Sequence, residues 1–124
     1  MAYEHDRQQD WYDHFDGTRR REIASLIDNE VISEHERNPI GYRSPHSPRL
    51  QRILNYMRVQ PVLGKYFVYP MEPWKDYRIA TIGMRGQAPE ILPGHQYHSE
   101  EEAMHGVFLL RTQNIMDSVT GEER

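Results

Sequence analysis

Histidines and carboxylates in the last third of the chain have the residue types of a metal site. His95, His98 and His105 accompany Glu101 and Glu102, and Glu102 with His105 forms a Glu-x-x-His motif. Carboxylate-bridged di-iron bundles use that spacing, but they need the motif twice and two further glutamates on facing helices. The sequence contains one copy of the motif. We therefore predict that this chain holds no metal ion of its own.

Residues for nucleophilic catalysis are equally sparse. No serine lies in a Gly-x-Ser-x-Gly elbow, and Ser47 and Ser99 are better explained as helix caps. Asp13, His14 and Asp16 are close in sequence but belong to a segment without a rigid scaffold. The chain has no cysteine, which excludes disulfides and thiolate nucleophiles. We predict no catalytic and no cofactor-binding residue.

Amphipathic helices are predicted in the N-terminal half of the chain. A helix capped by Thr18 is predicted over residues 18–37, and Asn29 can divide it into two pieces. Ser47-Pro48 combines a capping residue with proline at the first helical position, and predicts a second helix that Pro61 ends.

A small sheet and a closing helix follow. Residues 65–69 and 77–82 are rich in aromatic and β-branched residues and predict an antiparallel pair joined by a wide loop. Residues 90–92 form a third strand in the three-stranded alternative for this sheet. Ser99 and Glu102 form a capping box for a last helix to about Asp117. The predicted fold class is α+β: two N-terminal helices, a small antiparallel sheet of two or three strands, and a C-terminal capped helix.

The composition indicates a fold completed by a partner. Ile, Leu, Val and Phe make up only 25 of the 124 residues, yet the chain carries 13 aromatic residues and 13 arginines against two lysines. Interfaces favour tyrosine, tryptophan, methionine and arginine, although a GC-rich genome is an alternative source of arginine. We predict one domain over 10–119, with a loose polar segment at 1–9 and a frayed end at 120–124. The predicted interface residues are Trp11, Tyr12, Phe15, Arg19, Arg20, Arg21, Tyr42, Tyr56 and Trp74.

Charge and hydropathy argue against several other classes of function. The net charge of −4 argues against nucleic-acid binding, since nucleic-acid binders usually carry a basic excess. The main alternative is a DNA-binding module with a hairpin-plus-helix fold, whose cations would be Lys65, Arg78 and Arg85. A free-standing small metal protein is a further alternative. A polar N-terminus and the lack of a long apolar run predict a cytoplasmic protein that does not bind membranes.

Many short segments occur in one order over roughly Asp10 to Val119: Asp10 to Tyr12, Arg19 to Ile23, Asn38 to Arg43, Ser47 to Arg52, Asn55-Tyr56, Gln60 to Tyr66, Asp76 to Ile82 and Glu100 to His105. Together they resemble a known family, the small subunit of N,N-dimethylformamidase. Departures are minor: Ile40 stands where an aromatic residue is expected, and Pro73 adds a turn before Trp74.

The resemblance implies a subunit of an enzyme that hydrolyses N,N-dimethylformamide to dimethylamine and formate. It also implies that the large catalytic subunit holds a mononuclear iron through tyrosine and glutamate side chains. None of those ligands maps onto this chain. The chain would then be an accessory subunit that stabilises the large subunit in an α2β2 or higher assembly.

Overall fold

The computed structural model describes residues 16–60 and 65–122, and within them the chain folds as four helices and one antiparallel sheet. This confirms the predicted α+β class. The sheet has three strands in the order β1-β2-β3. The elements in chain order are α1 (16–26), α2 (Asn29–Arg37), α3 (Pro48–Arg58), β1 (Tyr66–Glu72), β2 (Asp76–Thr81), β3 (Glu90–Tyr97) and α4 (Glu100–Glu122).

The predicted helix over 18–37 is divided, as Asn29 suggested, and Asp28 is the reason. The backbone of Asp28 is extended, and its carboxylate accepts a hydrogen bond from the Val31 amide at 2.9 Å, which caps α2. The predicted cap at Thr18 is wrong, because α1 already includes Asp16 and Thr18 lies inside the helix.

The start of α3 and the end of α2 follow the prediction. Ser47 Oγ accepts a hydrogen bond from the Leu50 amide at 3.2 Å, and Pro48 is the first residue of α3. Asn38 caps the C-terminus of α2, and Gly41 adopts a φ of 86° that reverses the chain. α3 ends at Arg58, before Pro61.

The connection between β1 and β2 differs from the prediction. β1 continues through Pro70 to Glu72, and the turn spans only residues 73–75, so the predicted wide loop is wrong. Trp74 adopts a φ of 73°, a conformation that costs a residue with a Cβ atom roughly 1–2 kcal/mol. The Trp74 amide donates to the Tyr77 hydroxyl at 3.0 Å, which stabilises the turn.

The third strand is present and longer than the predicted 90–92. β3 runs from Glu90 to Tyr97 and pairs with β2 in two stretches, with a shift of register between Arg78 and Ala80. Pro93 and Gly94 lie inside β3, and Gly94 has a φ of 82°. This irregularity lets the strand continue past residues that usually end one.

The long helix α4 joins the helical layer to the sheet. Ser99 Oγ accepts a hydrogen bond from the Glu102 amide at 3.2 Å, which confirms the predicted cap. α4 extends past Asp117 and includes residues 120–122; residues 1–9, 123 and 124 lie outside the described ranges. Among the described helices, none combines the length and apolar character needed to cross a membrane.

Two packed regions hold the fold together. In the first, buried side chains of α1, α2 and α3 pack against Phe108 and Ile115 of α4, with Leu50, Ile53 and Tyr56 at its centre. In the second, the sheet packs on α4 where Gly106 has no side chain. A Cβ atom at Gly106 would lie 2.6 Å from Tyr97 Cζ and 3.2 Å from Ile79 Cδ1, so only glycine allows this approach.

Candidate functional site

The predicted interface residues lie in three different environments. Trp11, Tyr12 and Phe15 lie outside the described residues. Tyr42 is 83% exposed and Trp74 is 88% exposed, so both are accessible to a partner.

Tyr56 is a correction to the predicted interface, because it is only 1% exposed and belongs to the core of this chain. Its hydroxyl donates to Asp16 Oδ1 at 3.0 Å and accepts from Arg20 Nε at 3.3 Å. Burial raises the pKa of Tyr56, which keeps the phenol protonated as the donor. The residue lies on α3 one turn after Ile53, so its ring follows the apolar face of that helix.

The three consecutive arginines of α1 take different positions. Arg20 is half-buried; it forms an ion pair with Asp16 and donates to Ser118 Oγ at 2.6 Å, which ties α1 to α4. Arg19 is exposed, and its guanidinium carbon lies 5.6 Å from the centre of the Tyr56 ring. Arg21 is exposed. Arg20 therefore has a structural role in this chain, whereas Arg19 and Arg21 present charge at the surface.

Exposed apolar side chains extend the accessible surface beyond the predicted residues. Met71 precedes the Trp74 turn and is 49% exposed, so the β1–β2 hairpin ends in two apolar side chains. On α4, Leu109 and Met116 are 41% and 40% exposed and lie seven residues apart, on one face of the helix. Sequence reasoning missed these three residues, because a helical pattern alone does not show which apolar side chains the sheet and the other helices cover.

Two adjoining clefts lie between α3, β1 and α4. Their volumes are ≈ 300 and ≈ 560 Å³, and both are lined by Met57, Lys65 and Arg111. Arg58, which is exposed, lines the larger cleft, together with apolar side chains such as Phe67. The described residues that line the two clefts include no aspartate or glutamate.

Two cations of these clefts, Lys65 and Arg111, donate hydrogen bonds to backbone carbonyls. Arg111 donates from Nη2 to the Tyr66 carbonyl at 2.6 Å, and Lys65 donates to the Arg58 carbonyl at 3.1 Å. Arg111 Nε is buried without a hydrogen-bond partner among the described residues. Burial lowers the pKa of Arg111 and of Lys65, and the positive charges of Arg111 and Arg58 lower that of Lys65 further. We call Arg58, Lys65 and Arg111 the cation cluster.

Two histidines are in a contact that the sequence analysis did not predict. His105 lies against His35 of α2, with 2.9 Å between their Nδ1 atoms, and not with His95 and His98. His35 is 3% exposed and stacks on Phe108, with 4.0 Å between ring centres. Burial and the neighbouring His105 and His46 lower the pKa of His35 to about 3. A contact across 70 residues leaves no local signal in the sequence.

The described residues do not form an iron site. No group of three or more His, Asp or Glu side chains among them could hold a metal ion. In the His35–His105 contact the two Nδ1 atoms face each other, and His46 Nε2 donates to the Asn38 carbonyl at 2.8 Å. The Tyr56 hydroxyl and the Asp16 carboxylate are also unsuitable as iron ligands, because the Arg20 guanidinium forms an ion pair with that carboxylate.

Two serines and one arginine considered for other chemistry have structural partners. Ser47 and Ser99 cap α3 and α4. Arg78 on β2 forms an ion pair with Asp76 at 2.9 Å, which neutralises a cation on which the DNA-binding alternative relies. Asp13 and His14 lie outside the described residues.

Comparison with known proteins identifies the family. Residues 10–123 match the family model described as N,N-dimethylformamidase alpha subunit. The chain is 48% identical over 121 residues to a protein of that name from Paracoccus aminophilus, covering 96% of this chain and 85% of the relative. It is 49% identical over 112 residues to one from Alcaligenes sp., covering 89% and 84%. These matches confirm the resemblance seen in the sequence, and the chain belongs to the N,N-dimethylformamidase alpha subunit family.

Proposed function

We propose that this chain is the accessory small subunit of a cytoplasmic, heteromeric N,N-dimethylformamidase. The enzyme hydrolyses the amide to dimethylamine and formate, and its iron belongs to the large catalytic subunit, which this chain stabilises in an α2β2 or higher assembly. The observation that carries the proposal is the 48% identity to a dimethylformamidase alpha subunit across 96% of the chain.

The exposed apolar side chains support a role in assembly. Trp74 and Met71 project at the end of the β1–β2 hairpin, Leu109 and Met116 share a face of α4, and Tyr42 is exposed near the end of α2. Aromatic residues and methionine are enriched in interfaces, and groups of exposed apolar residues mark binding surfaces on soluble proteins. These side chains would be covered by the large subunit.

The contacts of the polar side chains support an accessory role. Ser47 and Ser99 cap helices, Glu34 holds the start of α3 through Ser47, and His35 contacts His105 inside the molecule. Each of these groups stabilises the fold through partners within the chain. We propose that the catalytic residues lie on the large subunit.

Co-purification tests the proposal. The chain and the large subunit from the same genome are expressed together, with an affinity tag on the large subunit only. We expect a stable complex with fixed stoichiometry, and a melting temperature of the large subunit that rises when this chain is bound, because a ligand of the folded state stabilises it. Failure of the two chains to associate, or DNA retention by this chain that weakens with salt, would overturn it.

A further inference from the structure

Two of the three members of the cation cluster are partly buried, and the cluster has no balancing negative charge among the described residues. Lys65 and Arg111 are half-buried, Arg111 Nε is buried without a hydrogen-bond partner, and Arg58 lies beside them. Within the described residues, none of the three forms an ion pair with a carboxylate, and the side chains of Lys65 and Arg111 donate to backbone carbonyls. Buried charges in folded proteins are usually paired, so the cluster lacks a counter-charge within the described residues.

The unpaired charges of the cation cluster cost free energy, and an anionic group beside them would offset that cost. The charges of Arg58 and Arg111 repel that of Lys65, and the partial burial of Lys65 and Arg111 weakens the solvation that would offset the repulsion. The chain has 19 acidic residues and a net charge of −4, yet no described Asp or Glu lines either cleft. An anionic group that entered the clefts would offset the charges of Lys65 and Arg111, which line both of them.

The shape and the walls of the clefts favour a carboxylate that is part of a larger chain. The larger cleft has a volume of ≈ 560 Å³, and Phe67, Met104 and Leu54 form part of its wall. A small hydrated anion would leave these apolar walls exposed to water, whereas an acidic side chain with apolar neighbours would cover them. Charge complementarity and the apolar walls thus point to a polypeptide.

We propose that the cation cluster of Arg58, Lys65 and Arg111 binds a carboxylate side chain of the large dimethylformamidase subunit, with apolar residues of that subunit filling the adjoining cleft. This inference rests on the proposed function, because it takes the large subunit as the partner. The cation cluster would be a second contact surface, besides the exposed residues of the hairpin and α4. Its contribution to binding would depend on charge.

Replacement of single members of the cation cluster tests the inference. Arg111→Met removes the charge and keeps an apolar side chain of similar length, and Lys65→Met is a second variant in case the first does not fold. Arg85→Met is the matched control, since Arg85 is exposed on the loop between β2 and β3. The dissociation constant for the purified large subunit is measured by titration calorimetry at low and high salt, after circular dichroism has shown that each variant is folded.

We expect Arg111→Met and Lys65→Met to weaken binding by roughly 10-fold or more and to reduce its dependence on salt, because truncating one partner of a buried charge pair leaves the other unpaired. The melting temperature of the isolated variants should stay the same or rise, because an uncompensated buried charge has been removed. Arg85→Met should bind as the wild type does.

The outcomes separate this inference from the proposed function. If the wild-type chain binds the large subunit and both variants bind equally well, the inference is wrong and the proposed function stands. If the wild type does not bind, both fail. Acetate and inorganic phosphate serve as probes of a free-anion site. Stabilisation of the isolated wild type, but not of Arg111→Met, by either ion, together with unchanged affinity for the large subunit, would replace the inference with such a site.

Discussion

The imidazole rings of His35 and His105 meet through their Nδ1 atoms, 2.9 Å apart, and join α2 to α4. One nitrogen must donate and the other accept, so at least one ring is neutral. Phe108 stacks on His35, and the nearby titratable groups are His46, Glu34 and Glu36. Protonation of both rings would place two donors against each other in the interior.

Acid should therefore destabilise the fold through His35. Its pKa falls from 6.5 in a model peptide to about 3 in the folded chain, so the unfolded state binds the proton first as the pH falls. The free energy of unfolding should be highest above pH 6.5 and fall between pH 6.5 and about 3, by at most about 1.4 kcal/mol per pH unit from this group. Urea unfolding at several pH values measures this slope.

The control for the pH dependence is a pair of substitutions. His35→Phe keeps a planar ring against Phe108 and removes the titration, so its unfolding free energy should change less between pH 6.5 and 4. His98→Gln, at an exposed position, should keep the wild-type slope. An equal slope in the wild type and in His35→Phe would show that His35 does not control it.

Glycine at position 106 should be needed for the contact between α4 and the sheet. Gly106→Ala places a methyl group 2.6 Å from Tyr97 Cζ, and the strain should lower the free energy of unfolding by roughly 1–3 kcal/mol. Gly121→Ala is a matched control in the same helix, where nothing lies within 4 Å. It should be neutral or stabilise the chain by up to about 1 kcal/mol, because alanine favours helix over glycine. Thermal unfolding of the two variants compares these effects; a stable Gly106→Ala would contradict the close packing.

Glu34 should stabilise the junction between α2 and α3. Its carboxylate accepts hydrogen bonds from the Ser47 amide at 2.8 Å and from Ser47 Oγ at 2.7 Å. Glu34→Gln weakens both bonds and should lower the free energy of unfolding by about 1–2 kcal/mol. Glu30→Gln, on the exposed side of the same helix, should change it by less than about 0.5 kcal/mol. Chemical denaturation measures both; equal effects would assign no role to the Ser47 contact.

Trp74 should contribute to binding and not to stability. Its side chain is 88% exposed, and its positive φ is a conformation that glycine adopts more readily. Trp74→Gly should leave the stability of the isolated chain unchanged or raise it, and should weaken binding to the large subunit by roughly 10-fold or more, as for a central aromatic contact. Asn55→Ala, at an exposed position on α3, is the control. Wild-type affinity of Trp74→Gly, measured by biolayer interferometry, would remove this residue from the interface.

Local features of this fold could be predicted from the sequence, because their interactions lie within a few residues. Ser47 and Ser99 bond to amides three residues ahead, so their neighbours identify them as caps. Asp28 caps α2 in the same way, three residues before Val31.

Features that depend on distant partners were not predictable. Tyr56 is buried because Arg20 and Asp16 of α1 satisfy its hydroxyl, so a residue with interface character joined the core. The His35–His105 contact and the cation cluster join segments that are far apart in sequence. The turn at Trp74 is tight because the Tyr77 hydroxyl accepts its amide hydrogen, which residue type alone does not reveal.

We propose that this chain acts by binding a catalytic subunit and not by chemistry of its own. Dimethylamine release from N,N-dimethylformamide should be measured for this chain alone, the large subunit alone, and the two combined, with the iron content of each sample. We predict no release by this chain, and higher and longer-lasting release by the combination than by the large subunit alone, with iron only in samples that contain the large subunit. Hydrolysis by this chain alone, or no change in the large subunit's activity and lifetime when it is added, would contradict the account.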